Sequence, residues 1–326
     1  MRITKEKACN TTFIHLTNQI GMEICLCSRG ASLYYLKLNG VELTSAPEEK
    51  EIFLTDQIKF CGQTIGPVPL RLKDGKYKAK DKEYAFQLNE PGKALHSSNR
   101  NFGYQEFGYE VLLGEKSTEV RFSLNFTPLP SEAPAMKVLI TYTIAENAAE
   151  FDLDYDIVPE SDALINPTNH IYWQLGEKDV SNLSLKMPAK KHLEYNEVSL
   201  VLPWTEEAKR EFDFNELDVL GHYCPDGTLD SSSHNGFDHF FFLESGDIHL
   251  ESEKYRLNLT TGSQGVQIYT SNYPVTSIKM RDGRNDCLRN ALTLETLNDP
   301  RPGKTPITAA NEHFKAHNHY HLEKKA

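Results

Sequence analysis

The sequence predicts an all-β fold, a large antiparallel β-sandwich. Apolar and polar residues alternate with a period of two along most of the chain, and clusters of Gly, Pro, Asn and Asp separate the alternating runs. Only one short segment has a helical pattern. Many strands with regular turns and almost no helix are typical of sandwiches. Because one all-β domain can contain this many residues, we expect a single domain over residues 1–326.

The alternating runs define the predicted strands in chain order. The first two cover residues 22–26 and 33–38, and the second ends at the hairpin signal Asn39-Gly40. Residues 62–84 are rich in turn residues and predict short strands that form a rim. Further strands are predicted over residues 120–126, 136–144, 151–157, 183–187, 240–243, 248–250, 255–259, 266–270 and 292–295. A short helix is predicted from about Thr205, and a loop over residues 227–236.

Two sets of alternating polar residues raise the question of metal binding. The first set is Asp152, Asp154 and Asp156, and the second is His317, His319 and His321. Large apolar residues separate the aspartates, which favours a solvated strand face over a calcium loop. The histidines would share one face if the tail were a strand, but we expect a solvent-exposed carboxyl-terminal segment. We therefore predict no metal site.

Charge and cysteine usage limit the classes of partner. The net charge is −11 and no dense Lys/Arg block occurs, which argues against nucleic acid and anionic membranes as partners. No apolar run is long enough for a secretion signal or a membrane span. The six cysteines are scattered without a CxxC pair, so we interpret them as reduced thiols. We expect a cytoplasmic protein that is a monomer or a homodimer.

Residues 166–175 form the most informative stretch. Pro167 suits the first residue of a strand, beyond which side chains alternate between two faces. One predicted face is polar and the other apolar; they consist of Thr168, His170, Tyr172 and Gln174, and of Ile171, Trp173 and Leu175. Such a strand is either a solvated sheet surface or the floor of a polar-ligand site. Composition alone favours the surface, and His170 favours the site.

Several other polar residues could contribute to a site. Glu295 interrupts an apolar strand, where a carboxylate is costly to bury unless it is paired, although an edge strand facing water would also explain it. Gln267 lies opposite the apolar face of its strand. His96 in a loop, Asp238 at a strand start and Arg71 all have ordinary structural explanations. No GxGxxG, Walker, HExxH or GxSxG motif occurs, so nucleotide, zinc-protease and serine-hydrolase functions lack support.

The motif Asn166-Pro167-Thr168-Asn169-His170-Ile171-Tyr172 resembles the aldose 1-epimerase (galactose mutarotase) family. The resemblance extends in order over nearly the whole chain, through Gly30-Ala31-Ser32, Gly66 with Arg71 and Gly75-Lys76-Tyr77, Leu95-His96, Gly236-Phe237-Asp238-His239, residues 265–270 with Asn272, and Leu294-Glu295-Thr296 with Asn298 and Pro300. It implies a β-supersandwich with an open sugar cleft and no cofactor. It also implies that the protein interconverts the α and β anomers of a free aldose.

The resemblance implies a role for each candidate residue. His170 would be the general acid that protonates the ring oxygen, and Glu295 the general base that takes the anomeric proton. The sugar hydroxyls and ring oxygen would be held by His96, Arg71, Asp238 and Gln267. An unperturbed His and Glu titrate near 6.5 and 4.3, so modest tuning supplies an acid and a base at neutral pH.

Six residues in four places depart from the family pattern and concern specificity. They are Leu70 in place of Asn, Ser97-Ser98 in place of Gly-Gly, Trp173-Gln174 in place of Phe-Asn, and Leu297 in place of Gln. Two alternative functions remain open at this point. One is a non-catalytic carbohydrate-binding or sensing protein, and the other is a glycoside hydrolase with Asp238 and Glu295 as its carboxylate pair.

Overall fold

β-Strands make up 51% and helices 6% of the computed structural model, which describes residues 1–55, 59–195, 201–207, 213–223 and 236–325. The predicted all-β class is therefore confirmed. The elements of the amino-terminal half are β1 (Arg2–Ala8), β2 (Thr11–Thr17), β3 (Glu23–Cys27), β4 (Ser32–Leu38), β5 (Val41–Glu42), α1 (Lys50–Thr55), β6 (Thr64–Ile65), β7 (Arg71–Lys73), β8 (Lys76–Ala79), β9 (Lys82–Ala85), β10 (Lys93–Leu95), β11 (Gly108–Leu113), β12 (Ser117–Phe126), β13 (Met136–Ala145) and β14 (Glu150–Pro159).

The carboxyl-terminal half continues with short and long strands. They are β15 (Ala163–Leu164), β16 (Thr168–Asn169), β17 (Tyr172–Trp173), β18 (Ser184–Lys186), β19 (Ala189–Tyr195), β20 (Val201–Glu207), β21 (Asp218–Val219), β22 (Asp238–Leu243), β23 (Asp247–Glu251), β24 (Tyr255–Thr261), β25 (Gly265–Tyr269), β26 (Leu292–Leu297), β27 (Ile307–Thr308) and β28 (Phe314–Lys324). Short 3₁₀ helices cover Ser98–Arg100, Phe102–Tyr104, Val180–Asn182 and Leu220–Tyr223.

Most strands belong to three antiparallel sheets. The first is a meander in the order β1-β2-β3-β4-β5, and the second has nine strands in the order β11-β12-β13-β14-β28-β24-β23-β18-β21. The third has six strands in the order β17-β26-β25-β22-β19-β20. The predicted hairpin at Asn39-Gly40 is present: both residues have positive φ, and they join the paired residues Leu38 and Val41.

One apolar cluster connects the three sheets. Leu26, Ile140 and Ile268 come from the first, second and third sheet and are all buried in it. Trp173 and Leu294 belong to the same cluster, so the strands β17 and β26 are anchored to the core on their apolar sides. This shared core supports the predicted single domain over residues 1–326, which stays a prediction.

The short helix predicted near Thr205 is wrong. Val201–Glu207 form β20, which pairs with β19, for example through Leu193 and Thr205. Strand pairing overrides the local sequence pattern that predicts a helix start near Thr205, because helix propensity is a weak preference. Ala208 and residues 227–235 of the predicted loop lie outside the described residues.

The carboxyl-terminal segment is a central strand and not the exposed tail that we expected. β28 lies between β14 and β24. On its open face, His317 and His319 lie in register with Asp154 and Asp152, at Nδ1–Oδ1 distances of 2.8 and 2.7 Å. The aspartates therefore lie on a partly exposed strand face, as predicted, and the histidines are their partners.

Candidate active site

His170 lies at a break between two short strands. We predicted one continuous strand with a solvated or ligand-facing side, but β16 pairs with β6 while β17 pairs with β26. The backbone of His170 bonds instead to a neighbouring loop, because its N–H donates to the Gln63 carbonyl and its carbonyl accepts from the Gly62 N–H, both at 2.9 Å. Both predicted faces are buried, and His170 is only 5% exposed. The interpretation as a solvated sheet surface is therefore wrong.

Glu295 lies on a central strand. β26 is flanked by β17 and β25, which excludes the edge-strand explanation for this carboxylate. Leu294 points into the core, so the alternation along β26 directs Glu295 to the opposite side. The carboxylate is 2% exposed, and its Oε1 lies 3.5 Å from His170 Nε2. Two residues far apart in sequence thus form one buried pair.

Burial shifts the proton affinities of this pair in opposite directions. It raises the pKa of Glu295 to about 8, although the Thr293 hydroxyl, which donates to Oε1 at 3.1 Å, acts to lower it. Burial lowers the pKa of His170 to about 3, and the positive charge of Lys59 acts in the same direction. At neutral pH the pair therefore holds one proton and carries no net charge. Glu295 Oε2 and His170 Nδ1 make no hydrogen bond to any described residue.

His96 is held as a neutral donor beside the pair. Its ring Nδ1 accepts from the Leu70 backbone N–H at 3.2 Å, and its backbone N–H donates to the Leu70 carbonyl at 2.9 Å. Burial lowers the pKa of His96 well below its ordinary value. The neutral ring must then carry its proton on Nε2. The His96 and His170 rings are perpendicular, with centroids 5.6 Å apart.

Arg71 and Asp238 form the polar wall of the site. Arg71 Nε donates to Glu90 Oε2 at 2.9 Å, and its Nη1 lies 3.6 Å from Asp238 Oδ2. Gln267 is almost fully buried and donates to Asp238 Oδ1 at 2.6 Å, while it accepts from the Tyr195 hydroxyl at 2.8 Å. Gln267 therefore orients Asp238 and does not itself line the cavity.

These side chains converge on one cavity of about 520 Å³, hereafter the cleft. It is lined by Arg71, His96, His170, Asp238 and Glu295, together with Phe60, Leu70, Asn89, Glu90, Pro91, Lys93, Leu95, Tyr172, Tyr269 and Tyr273. The structure thus brings together five of the six predicted site residues. This volume suits a monosaccharide-sized ligand, since small-molecule sites typically span about 300–1,000 Å³.

Our sequence reasoning missed several residues of the cleft. Phe60 packs its ring 4.9 Å from His96 and 6.0 Å from His170, and Glu90 pairs with Arg71. Tyr273 stacks on Tyr269 at the exposed mouth. These residues come from irregular segments, where no period marks which side chains face inward. Of Phe60, Glu90 and Tyr273, only Tyr273 has a local sequence feature that could have indicated a site, because it is an aromatic residue just after a predicted strand.

Two of the departures from the family pattern lie in one apolar cluster. Leu70 and Leu297 pack together with Leu193 and Phe240 beside the cleft. Leu70 lines the cleft with a left-handed backbone, φ 57°. Because Asn tolerates this conformation better than Leu does, the apolar residue is present despite a backbone preference against it. This part of the wall offers no hydrogen bond to a ligand.

Ser97 and Ser98 both adopt a left-handed backbone conformation. Both serines have φ 57°, which glycine adopts more readily. The Ser97 hydroxyl compensates, because it donates to the Val68 carbonyl at 2.8 Å and accepts from the Val68 N–H at 2.9 Å. The Ser98 hydroxyl is buried and bonds to no described residue.

We expect Ser98→Gly to stabilise the protein by about 1 kcal/mol, through relief of backbone strain and removal of an unpaired buried hydroxyl. The matched variant Ser97→Gly loses two hydrogen bonds and should be destabilised by about 1 kcal/mol. Urea unfolding of both variants measures the difference. Equal effects of the two substitutions would contradict this account of the turn.

Two further properties of the described residues concern metal binding and membrane insertion. No group of three or more His, Cys, Asp or Glu side chains in the described ranges could hold a metal ion. No helix in the same ranges is long and apolar enough to cross a membrane.

Residues 12–321 of the chain match the family model described as aldose 1-epimerase. A human protein named galactose mutarotase is 29% identical over 267 residues, which cover 77% of this chain and 74% of the human one. A structure of galactose 1-epimerase from Lactobacillus acidophilus NCFM has a TM-score of 0.89 at 22% identity, over 100% of this chain and 99% of that one. An aldose epimerase homologue from C. elegans has a TM-score of 0.84 at 21% identity, over 97% and 100%. The mutarotase-like sandwich fold implied by the sequence is therefore confirmed.

Proposed function

Because this chain belongs to the aldose 1-epimerase family and is an isomerase of sugar anomers, we propose that His170 and Glu295 interconvert the α and β forms of an aldose in the cleft. The observation that carries this proposal is the buried pair itself, with Nε2 and Oε1 3.5 Å apart and one proton between them at neutral pH. The anomeric hydroxyl and the ring oxygen of a pyranose are both bonded to C1, so one proton acceptor and one proton donor at this separation can serve both.

The reaction moves two protons and breaks one C–O bond. Transfer of the shared proton from Glu295 to His170 gives a carboxylate and an imidazolium. The carboxylate then takes the proton of the anomeric hydroxyl while the imidazolium protonates the ring oxygen, and the C1–ring oxygen bond breaks to give the open-chain aldehyde. Rotation about C1–C2 exposes the other face of the aldehyde. Ring closure reverses the proton transfers and restores the starting pair.

In the open-chain complex, Glu295 and His170 hold their protons as they do in the free enzyme. When the aldehyde has formed, Glu295 is protonated and His170 is neutral, which is the state that burial favours. The buried environment therefore stabilises the ring-opened intermediate relative to a charged pair. His96, Arg71 and Asp238 would hold the sugar hydroxyls, with Gln267 fixing the orientation of Asp238.

The substrate that we propose is a neutral aldose such as galactose, the sugar named in the human relative. The positive charges lining the cleft, Arg71 and Lys93, both lie next to Glu90. With Asp238 also present, no unbalanced positive charge among the described residues of the cleft favours a phosphate.

We also infer that the enzyme works in the cytoplasm as a monomer or homodimer. The buried thiols Cys25 and Cys27 form no disulfide with any described residue, which suits a reducing compartment. The net charge of −11 argues against nucleic acid as a partner.

Polarimetry of freshly dissolved α-galactose tests the proposed function. The enzyme should speed the approach to equilibrium in proportion to its concentration, and His170→Asn should abolish the effect. A panel of other aldoses then defines specificity. Sugar binding by titration without any acceleration would instead identify a carbohydrate-binding protein on the same scaffold.

The pH dependence provides a separate prediction. The pair must hold one proton, which it loses as pH rises through the pKa of Glu295, about 8, while it gains a second as pH falls toward the pKa of His170, about 3. We expect kcat/KM to be nearly constant from about pH 4 to pH 7 and to fall about tenfold per unit above about pH 8. Initial rates corrected for buffer catalysis give this profile. An acid limb centred near pH 6.5 would mean that His170 keeps the proton affinity of an exposed histidine.

A further inference from the structure

A second cavity of about 630 Å³, larger than the cleft, adjoins β7. We call it the lateral cavity. Its walls come from β7, β8, β15, β27 and the segment from Pro300 to Thr305. The wall is mainly apolar, with Val68, Leu72, Tyr77, Leu164, Pro300 and Ile307 as its main contributors. Its volume and its apolar lining are those of a small-molecule site, since such sites combine apolar walls with a few polar groups.

The charged groups around the lateral cavity are mostly positive. The cationic lining residues are Arg71, Lys73, Lys76, Lys78 and Arg301, and the only acidic one among the described residues is Glu83. Glu83 pairs with Lys76 at 3.2 Å, and Arg301 pairs with Asp299 at 2.6 Å. Lys73 and Lys78 form no ion pair with any described residue and are exposed.

The ligand class follows from this combination. Apolar walls favour a hydrocarbon body, because its burial removes apolar surface from water. The ammonium groups of Lys73 and Lys78, which have no ion-pair partner among the described residues, favour a negative charge on the same molecule. A sugar would leave its hydroxyl groups without partners against these walls. We propose that the lateral cavity binds a small organic anion with an apolar body, such as an aryl-alkyl carboxylate.

The position of the lateral cavity ties such a ligand to the sugar site. Leu70 and Arg71 line both cavities. The Leu70 backbone exchanges two hydrogen bonds with His96, and Arg71 holds the Asp238 side of the cleft. The two sites are therefore separated by residues that the sugar site also uses.

Calorimetric titration with three probes that share one body tests the proposal: 4-phenylbutyrate, 4-phenylbutan-1-ol and 4-phenylbutylamine. The full chain should bind the carboxylate, bind the alcohol at least fivefold more weakly, and not bind the amine measurably. The double substitution Lys73→Gln/Lys78→Gln should weaken carboxylate binding at least fivefold and leave alcohol binding unchanged. Both positions are exposed, so the variant should fold normally.

The matched control is Lys93→Gln, which removes a lysine of the cleft instead. It should leave carboxylate binding unchanged. If Lys93→Gln weakens binding as much as the double substitution does, the anion sits in the cleft and the proposal is overturned. Equal affinity for all three probes, or no binding by the carboxylate, also overturns it. None of these readouts depends on anomer exchange, so they are independent of the proposed catalytic function.

Discussion

Glu295→Gln is expected to lower kcat/KM for anomer exchange by about 10²–10⁴-fold, the usual contribution of a positioned proton-transfer group. Gln has the same shape and can still accept from the Thr293 hydroxyl, but it cannot accept the anomeric proton. The change should therefore act on kcat more than on KM. Exchange NMR between the α and β signals of galactose measures the rate directly at equilibrium.

A second carboxylate-to-amide change serves as the control. Glu251 is also buried, but it pairs with Arg256 and Lys325 in the nine-stranded sheet. Glu251→Gln should leave the exchange rate unchanged. If Glu295→Gln kept full activity while Asp238→Asn lost it, the general base would be Asp238 and the role assigned to Glu295 would be wrong.

The sequence predicts the long strands well because their pattern is local. In β13, large apolar residues alternate with polar ones over ten residues, and the burial of the strand follows the same alternation. The Asn39-Gly40 turn is also local, since both residues favour the positive φ that this hairpin needs. Such features depend on neighbouring residues alone, and a single sequence contains all of them.

Features set by distant partners were predicted poorly. The His170 strand is split because β16 and β17 pair with strands from opposite ends of the chain, β6 and β26. The carboxyl-terminal segment forms a strand because it pairs with β14 on one side and with β24 on the other. Neither partner can be identified from the periodicity of the segment itself, since pairing register is a tertiary property.

The candidate site shows the same division. Alternation predicts that His170 and Glu295 lie on polar strand faces, but only the fold brings their side chains within 3.5 Å. Their pairing was anticipated from the family resemblance and not from spacing. The acidic and aromatic residues that complete the cleft, such as Glu90 and Phe60, lie in irregular segments. Their inward orientation depends on loops whose course a single sequence does not specify.

Glu295→Gln is also expected to change stability in a pH-dependent way. The folded-state pKa of Glu295, about 8, lies above its ordinary value of 4.5 because the carboxyl is buried. Below pH 4.5 the group is protonated in both the folded and the unfolded chain, so it adds no penalty. As pH rises toward 8, the unfolded chain ionises while the folded chain stays protonated, which favours unfolding by about 1.4 kcal/mol per unit. At pH 7 this penalty amounts to about 3 kcal/mol.

Glutamine does not ionise, so the variant escapes this penalty. Relative to the wild type, the free energy of unfolding of Glu295→Gln should rise by about 3 kcal/mol between pH 4.5 and pH 7, as measured by urea unfolding at both values. Comparing the two pH values cancels any pH-independent contribution to stability that differs between the Glu and Gln side chains. Glu251→Gln should show the opposite sign: burial acts to raise the pKa of Glu251, but hydrogen bonds from Arg256 and Lys325 hold it below its ordinary value. If Glu295→Gln changed the free energy of unfolding equally at both pH values, Glu295 would be ionised in the folded protein at pH 7. The wild type would then keep its catalytic base charged without a cost in stability.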